Sequence, residues 1–407
     1  MQPARIPGRE RSGNMLSKRI LAMTPSATSM LMGRISELRA AGEDIISMNA
    51  GEPDFPTPRP IIDECINALT HGRTKYEGVG GIAPLREAVC SKLAKDNGLD
   101  YSPDQICIST GAKQALYNAV MALCDPGDEV IIPTPCWVSY VEIVKLAGGT
   151  PVTVATNSDY SLNTDNIAAA VTDKTKIVII NTPNNPTGAV YTEEALRALA
   201  GLAEKHDFYI ISDEVYEKLV YGKPHVSIAS ISREAYGRTV IINGFSKAFS
   251  MTGWRIGYSA ASGELTKAMT GLQSHCTSNS TSFVQYAAVK ALESCDDDVE
   301  SMRRAFRERR DYLYGRLNAI DGVTCSLPDG AFYIMPDFSA YMGKSCGNRT
   351  IENSADLCDY LLDSAKLALV PGDAFFMPDT IRFAYSNSME NLKEGADRLE
   401  AALGDLG

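Results

Sequence analysis

The chain has 407 residues, 44% hydrophobic and 22% charged, a composition that supports a large buried core and confines disorder to the termini. Lys and Arg number 39 against 50 Asp and Glu, and the resulting net charge of −11 repels a phosphate backbone, which excludes nucleic acid as a partner. No apolar run reaches the roughly 18 residues that span a bilayer. The chain opens without a secretory apolar core, and its ten cysteines form no C-x-x-C pair, so a cytoplasmic protein without membrane or metal partners is expected.

In chain order, residues 1–14 are polar and rich in Arg and Gly and read as a disordered extension ahead of Met15. Gly78-Val79-Gly80-Gly81 imitates a dinucleotide loop, but the polar stretch from His71 to Glu77 before it is no buried strand, so the motif lacks its context. A helix is expected from Pro84 to Gly98, with Leu85, Val89 and Leu93 on its buried face. Short apolar runs then alternate with helical patterns, the rhythm of a mainly parallel sheet covered on both faces. The expected strands are Gln105–Ser109, Glu129–Pro133, Lys176–Ile180, Phe208–Ser212, Thr239–Asn243 and Arg255–Ala260, with an amphipathic helix from Thr192 to Asp207. Beyond Ser282 long helical patterns lead into short strands at Gly330–Met335 and Thr380–Ala384, a change to α+β order that marks a second domain. Arg303, Arg304, Arg307, Arg309 and Arg310 read as a solvated helix face, and the four histidines as structural or surface residues.

Chemistry-bearing residues gather at the ends of the expected strands. Thr110 runs into Gly111-Ala112-Lys113 at the start of a helix, where backbone N–H groups approach an anion, although an ordinary strand-to-helix turn reads the same way. Lys113 adds weight, because a cation near a helix N-terminus opposes the helix dipole unless an anion compensates. The strand at Lys176–Ile180 opens into Asn181-Thr182-Pro183-Asn184-Asn185-Pro186, either a structural proline turn or a set of amides aimed at a ligand. Phe208–Ser212 delivers Asp213 at a buried strand end, costly unless the carboxylate meets a cation or good donors. Thr239–Asn243 leads to Ser246-Lys247, and Arg255 follows.

Together with GEPDF at 51–55, TKY at 74–76, NNPTG at 184–188, SDEVYE at 212–217 and SKAFSMTGWRIGY at 246–258, these residues resemble the fold-type I pyridoxal-phosphate aminotransferases, and within them the bacterial aspartate aminotransferase group. The resemblance runs from Met15 to the C-terminus. It implies an α/β fold: a large domain, residues 51–293, with a mainly parallel seven-stranded sheet flanked by helices, and a small α+β domain from residues 15–50 and 294–407. It implies pyridoxal 5'-phosphate as cofactor, bound through an imine to Lys247, which then serves as the proton-moving base. Asp213 would pair with the ring nitrogen, Asn185 and Tyr216 would bond the ring oxygen, and Trp137 would stack on the ring. Gly111, Ala112, Lys113 and Arg255 would face the phosphate, with Tyr76 reaching in from a second subunit of a homodimer that shares its active sites. Arg382 would grip the substrate α-carboxylate beside Gly51, with Trp137 and Asn185 near it, and Lys113 and Thr28 would bind a distal carboxylate.

The reaction implied is ping-pong transfer of an amino group from an L-amino acid, aspartate first, to a 2-oxo acid, 2-oxoglutarate. A broader-specificity aromatic or other amino-acid aminotransferase, a C–S β-lyase on the same scaffold and a non-catalytic cofactor-binding regulator are the alternatives, and the intact Lys247 argues against the last. Thr24 stands where relatives often carry lysine, which weakens a prephenate reading, and Phe376 stands where glycine is common.

Overall fold

The computed structural model describes residues 16–24 and 27–407, apart from the side chains of residues 27–29; the extension expected at 1–14 and the Thr28 side chain lie outside the described residues. Fourteen strands occur among the described residues. They are β1 (Ile46–Ser47), β2 (Ile106–Ser109), β3 (Glu129–Thr134), β4 (Thr150–Ala155), β5 (Thr175–Asn181), β6 (Tyr209–Asp213), β7 (Thr239–Gly244), β8 (Gly257–Ala260), β9 (Tyr333–Ile334), β10 (Ser345–Cys346), β11 (Arg349–Thr350), β12 (Leu367–Ala368), β13 (Val370–Pro371) and β14 (Ile381–Ala384).

Seven strands form the central sheet in the order β2-β8-β7-β6-β5-β3-β4, all parallel except β8, which runs against both neighbours. The central strands are continuous β-branched runs because both faces are covered. Ile177 and Ile179 of β5 pack with the helices Ala112–Leu123 and Ser139–Ala147 on one face, while Val178 and Ile180 pack with Glu193–His206 on the other. Helix ends follow their local signals. Thr192 accepts a hydrogen bond from the Ala195 N–H to open one helix, Asp207 closes it at φ 57°, and Gly98 closes Ala83–Asn97 at φ 67°.

The sequence expectations are corrected at three strands. Strand β4 was not anticipated: it lies at the sheet edge, its side chains are mostly solvent-facing, and Pro151 near its start is tolerated only at an edge. The strand expected from Arg255 begins instead at Gly257, because Arg255 adopts a left-handed conformation, φ 53°, that turns the chain back toward the site. The strand expected at Gly330–Met335 is only β9.

Beyond the central sheet, β13, β14 and β9 make a small antiparallel sheet, β1 pairs in parallel with β12, and β10 and β11 form a hairpin. One hydrophobic core joins Leu85 and Val89 to Phe383 and Leu399, which fixes the small sheet against the large one. The arginine-rich helix Asp296–Asn318 is only partly a solvated face. Arg304 and Arg307 are exposed, but Arg310 is buried over the Tyr221 ring with Nη1 donating to the Pro328 carbonyl, and Arg309 pairs with Asp54. No helix among the described residues is long and apolar enough to cross a membrane.

Candidate active site

The C-terminal ends of β5, β6 and β7 open on one cavity of about 350 Å³. Every expected site residue whose side chain is described lines it except Gly111 and Tyr76. Gly111 stands directly behind: at φ 81° it turns β2 into the helix Ala112–Leu123, and a methyl group there would come within 2.4 Å of Arg255 Nη2. The missing side chain is what lets the guanidinium lie across the helix N-terminus, where unpaired N–H groups favour an anion. Tyr76 lies away from this cavity and is 91% exposed.

Asp213, at the end of β6, accepts from the Tyr140 hydroxyl at 2.8 Å and from the Val215 N–H at 3.3 Å. Burial nevertheless pushes its carboxyl up to about 6, against these bonds and the nearby charge of Lys247. The strand ends are tied together by Asn181, whose amide donates to the Asp213 carbonyl at 2.9 Å and accepts from the Asn185 N–H at 2.7 Å.

Lys247 follows β7 and is enclosed. Burial, assisted by the charges of Arg382 and Arg255 and opposed by Glu52, holds its ammonium down at about 8. Its Nζ donates to the Gly51 carbonyl and lies 5.9 Å from the centre of the Tyr216 ring. The Tyr216 hydroxyl is 2.8 Å from that of Tyr333.

Arg382, on β14, is 3% exposed. Its Nη1 donates to Asn185 Oδ1 at 3.0 Å and its Nη2 to the Asn49 carbonyl at 2.7 Å, while the buried Nε has no partner among the described residues. The rings of Tyr333 and Phe375 lie 4.6 and 5.0 Å from the guanidinium carbon. Lys113 places its Nζ 4.5 Å over the Trp137 ring, and burial together with repulsion from Arg255 lowers its pKa.

The donor set fits pyridoxal phosphate: a buried carboxylate for a ring nitrogen, an enclosed amine for an aldehyde, a flat indole for a ring face, and an arginine at a helix N-terminus for a phosphate. A second cavity, about 390 Å³, lies between helices Ala83–Asn97 and Ser282–Ser294, but its lysines are answered within the chain, Lys218 by Asp96 at 2.8 Å and Lys95 by Asp296 at 2.7 Å. Glu214, Glu217 and His225 also cluster, yet the carboxylates already bond Ser212, Ser227, Asn97 and Asn243, with Lys92 closing the pair with Glu217.

Sequence reasoning missed Tyr140, Asn181 as a tie between strands, and Tyr333. Tyr140 stands in the first turn of the helix Ser139–Ala147, just after Trp137, and its ring meets the Trp137 ring edge-on at 5.5 Å. Tyr333 sits in an aromatic run that reads as plain core.

A buried lysine and a carboxylate at neighbouring parallel strand ends, with an arginine at a helix N-terminus, define a pyridoxal-phosphate enzyme of the fold-type I class. Residues 43–399 match the family described as aminotransferase class I and II. The aspartate aminotransferase of Geobacillus stearothermophilus is 48% identical over 387 residues, 94% of this chain and 98% of the relative. Among solved structures, the aspartate aminotransferase of Rhizobium meliloti superposes with a TM-score of 0.93 at 39% identity, covering 97% of this chain and all of that one. The Thermus thermophilus aspartate aminotransferase solved with maleate gives 0.90 at 40% identity, covering 96% of this chain and 100% of its own. The chain belongs to the class I and II aminotransferases, which are pyridoxal-phosphate enzymes.

Proposed function

We propose that this aminotransferase moves the amino group of L-aspartate to 2-oxoglutarate. The observation that carries the reading is the cavity itself, where Lys113, Arg255, Lys247 and Arg382 surround one buried carboxylate, Asp213. Such an excess of positive charge calls for several anions at once, and a phosphate with the two carboxylates of an acidic substrate supplies them. The Thermus relative was solved with maleate, a four-carbon dicarboxylate, which supports the same charge pattern here.

In this reading Gly111, Ala112 and Arg255 hold the cofactor phosphate and Trp137 its ring face. Asn185 and Tyr216 hold its ring oxygen, and Lys247 its aldehyde carbon. When bound, pyridoxal phosphate supplies an electron-withdrawing ring and a carbon that stores the amino group between the two half-reactions. Asp213 keeps the ring nitrogen protonated, since its negative charge is stabilised by that proton and by Tyr140. Arg382 binds the α-carboxylate as a planar fork, with Gly51 leaving room beside it and the unpartnered Nε available. Lys113, with Thr28 expected beside it, binds the distal carboxylate. Lys247 moves the proton at the substrate α-carbon, and burial, by holding its ammonium down at about 8, makes the free amine more accessible than in an ordinary lysine.

The reading includes a homodimer in which Tyr76 serves the partner's site, supported by its 91% exposure. It also includes a cofactor domain over residues 51–293 and a smaller one from 15–50 and 294–407, supported by the pairing of β1 with β12. A cytoplasmic location is supported by the absence of disulfides among ten free cysteines.

The test is a half-reaction followed in the visible band of the bound cofactor. L-Aspartate alone shifts the band to the amino form, and 2-oxoglutarate restores it. Pyruvate release from a cysteine-type substrate without an oxo-acid acceptor, and no response to aspartate, overturns the assignment. Sedimentation of a fully active monomer overturns the shared site.

A further inference from the structure

We propose that the Tyr333 hydroxyl is a positioning group that ties the Tyr216 phenol to the α-carboxylate subsite at Arg382, holding both in one geometry. The proposal rests on the reading of Tyr216 and Arg382 given above. Tyr333 lines the cavity at 1% exposure, on β9, opposite Ala384 of the strand that carries Arg382. Its hydroxyl is 2.8 Å from that of Tyr216, and its ring faces the Arg382 guanidinium at 4.6 Å. A methyl group on Gly51 would meet the same hydroxyl at 2.7 Å, and the Gly51 carbonyl accepts from Lys247. One oxygen atom therefore sits where the phenol, the carboxylate grip, the lysine's acceptor and the glycine converge.

The chemistry follows from counting protons. A phenol has one O–H to give and lone pairs to receive with. If Tyr216 gives its proton to an anionic oxygen of a ligand in the cavity, a donor must answer it from behind, and Tyr333 is the hydroxyl recorded within reach. Donation from Tyr333 makes Tyr216 the better donor, since hydrogen bonds in a chain polarise one another. Tyr333 in turn moves with β9 and β14, so its reach to Tyr216 is set by the strand that carries Arg382.

The experiment uses holoenzyme. Tyr333→Phe removes the hydroxyl while keeping the ring under Arg382. The pH midpoint of the cofactor's visible band is expected to rise by about half to one unit, the value of one hydrogen bond. The band titrates with a proton that the cofactor's anionic oxygen helps to hold, and a weaker Tyr216 bond leaves that oxygen more basic. kcat is expected to fall about threefold to tenfold with KM for aspartate nearly unchanged. Gly51→Ala, which displaces the hydroxyl without removing it, should move the midpoint in the same direction. In the double variant Tyr216→Phe/Tyr333→Phe, the midpoint should equal that of Tyr216→Phe alone. A wild-type midpoint in Tyr333→Phe, with Tyr216→Phe shifted, overturns the proposal and leaves the site reading intact. A wild-type midpoint in Tyr216→Phe overturns the site reading itself.

Discussion

Replacing Lys247 by Met should stabilise the cofactor-free protein at neutral pH while abolishing turnover. The ammonium's ordinary value of 10.5 falls to about 8 in the folded chain because burial disfavours the charge. At 1.36 kcal/mol per unit that is about 3 kcal/mol of stability present above pH 10.5, where the amine is neutral in both states. It is lost as the pH falls through 8, and is wholly absent at pH 7. Met fills a similar volume without the charge, but forfeits the hydrogen bond to the Gly51 carbonyl, worth about 1 kcal/mol. The net expectation is a gain of about 2 kcal/mol at pH 7 that shrinks and changes sign as the pH approaches 10.5. Urea unfolding of the two apoproteins at pH 7 and pH 10 measures it. A Met variant less stable than wild type at pH 7, or a difference that ignores pH, would refute the claim that the enclosed lysine is held against its solvation preference.

Asp213→Asn should show the mirror image. Its carboxyl is raised from 3.8 to about 6, so its stabilising contribution is present below about pH 4 and lost as the pH rises through 6. The Asn apoprotein should therefore be the more stable of the two at pH 7, by up to about 3 kcal/mol, with the advantage fading toward pH 4 in denaturant titrations, while kcat falls at least about a hundredfold. Gly111→Ala should loosen cofactor binding at least about tenfold in equilibrium dialysis, because the new methyl meets Arg255 at 2.4 Å and the backbone at φ 81° resists a side chain. Arg382→Met should lower kcat/KM for aspartate and for 2-oxoglutarate alike, by about a hundredfold or more in steady-state assays, since both substrates present the same α-carboxylate.

The candidate site residues could be picked out in the sequence because each is tied to a local feature. Asp213 ends a buried run and Asn185 and Lys247 follow such runs within four residues, and because β5, β6 and β7 run parallel those ends meet at one sheet edge. Thr192 and Gly98 mark helix ends through bonds and backbone angles that involve only near neighbours. Residues 51–55, 74–76 and 246–258 carried the family resemblance in the same way, as short runs read without knowing what they touch.

Tertiary structure decided everything that depends on partners far apart in the chain. Strand β4 has too little apolar surface to announce itself, and exists because β3 offers it a sheet edge. The reversal of β8 and the left-handed turn at Arg255 follow from closing the sheet back onto β2, which no local periodicity encodes. Arg309 and Arg310 share a pattern with exposed Arg304 and Arg307, and only the packing of Asp54 and Pro328 against that helix separates them. Tyr140 on Asp213 and Tyr333 on Tyr216 are contacts across long stretches of sequence. Helix caps and strand periods are set by bonds to near neighbours and can be read from one segment. Whether a buried phenol fills space or steers a catalytic group depends on which atom the fold sets 2.8 Å away.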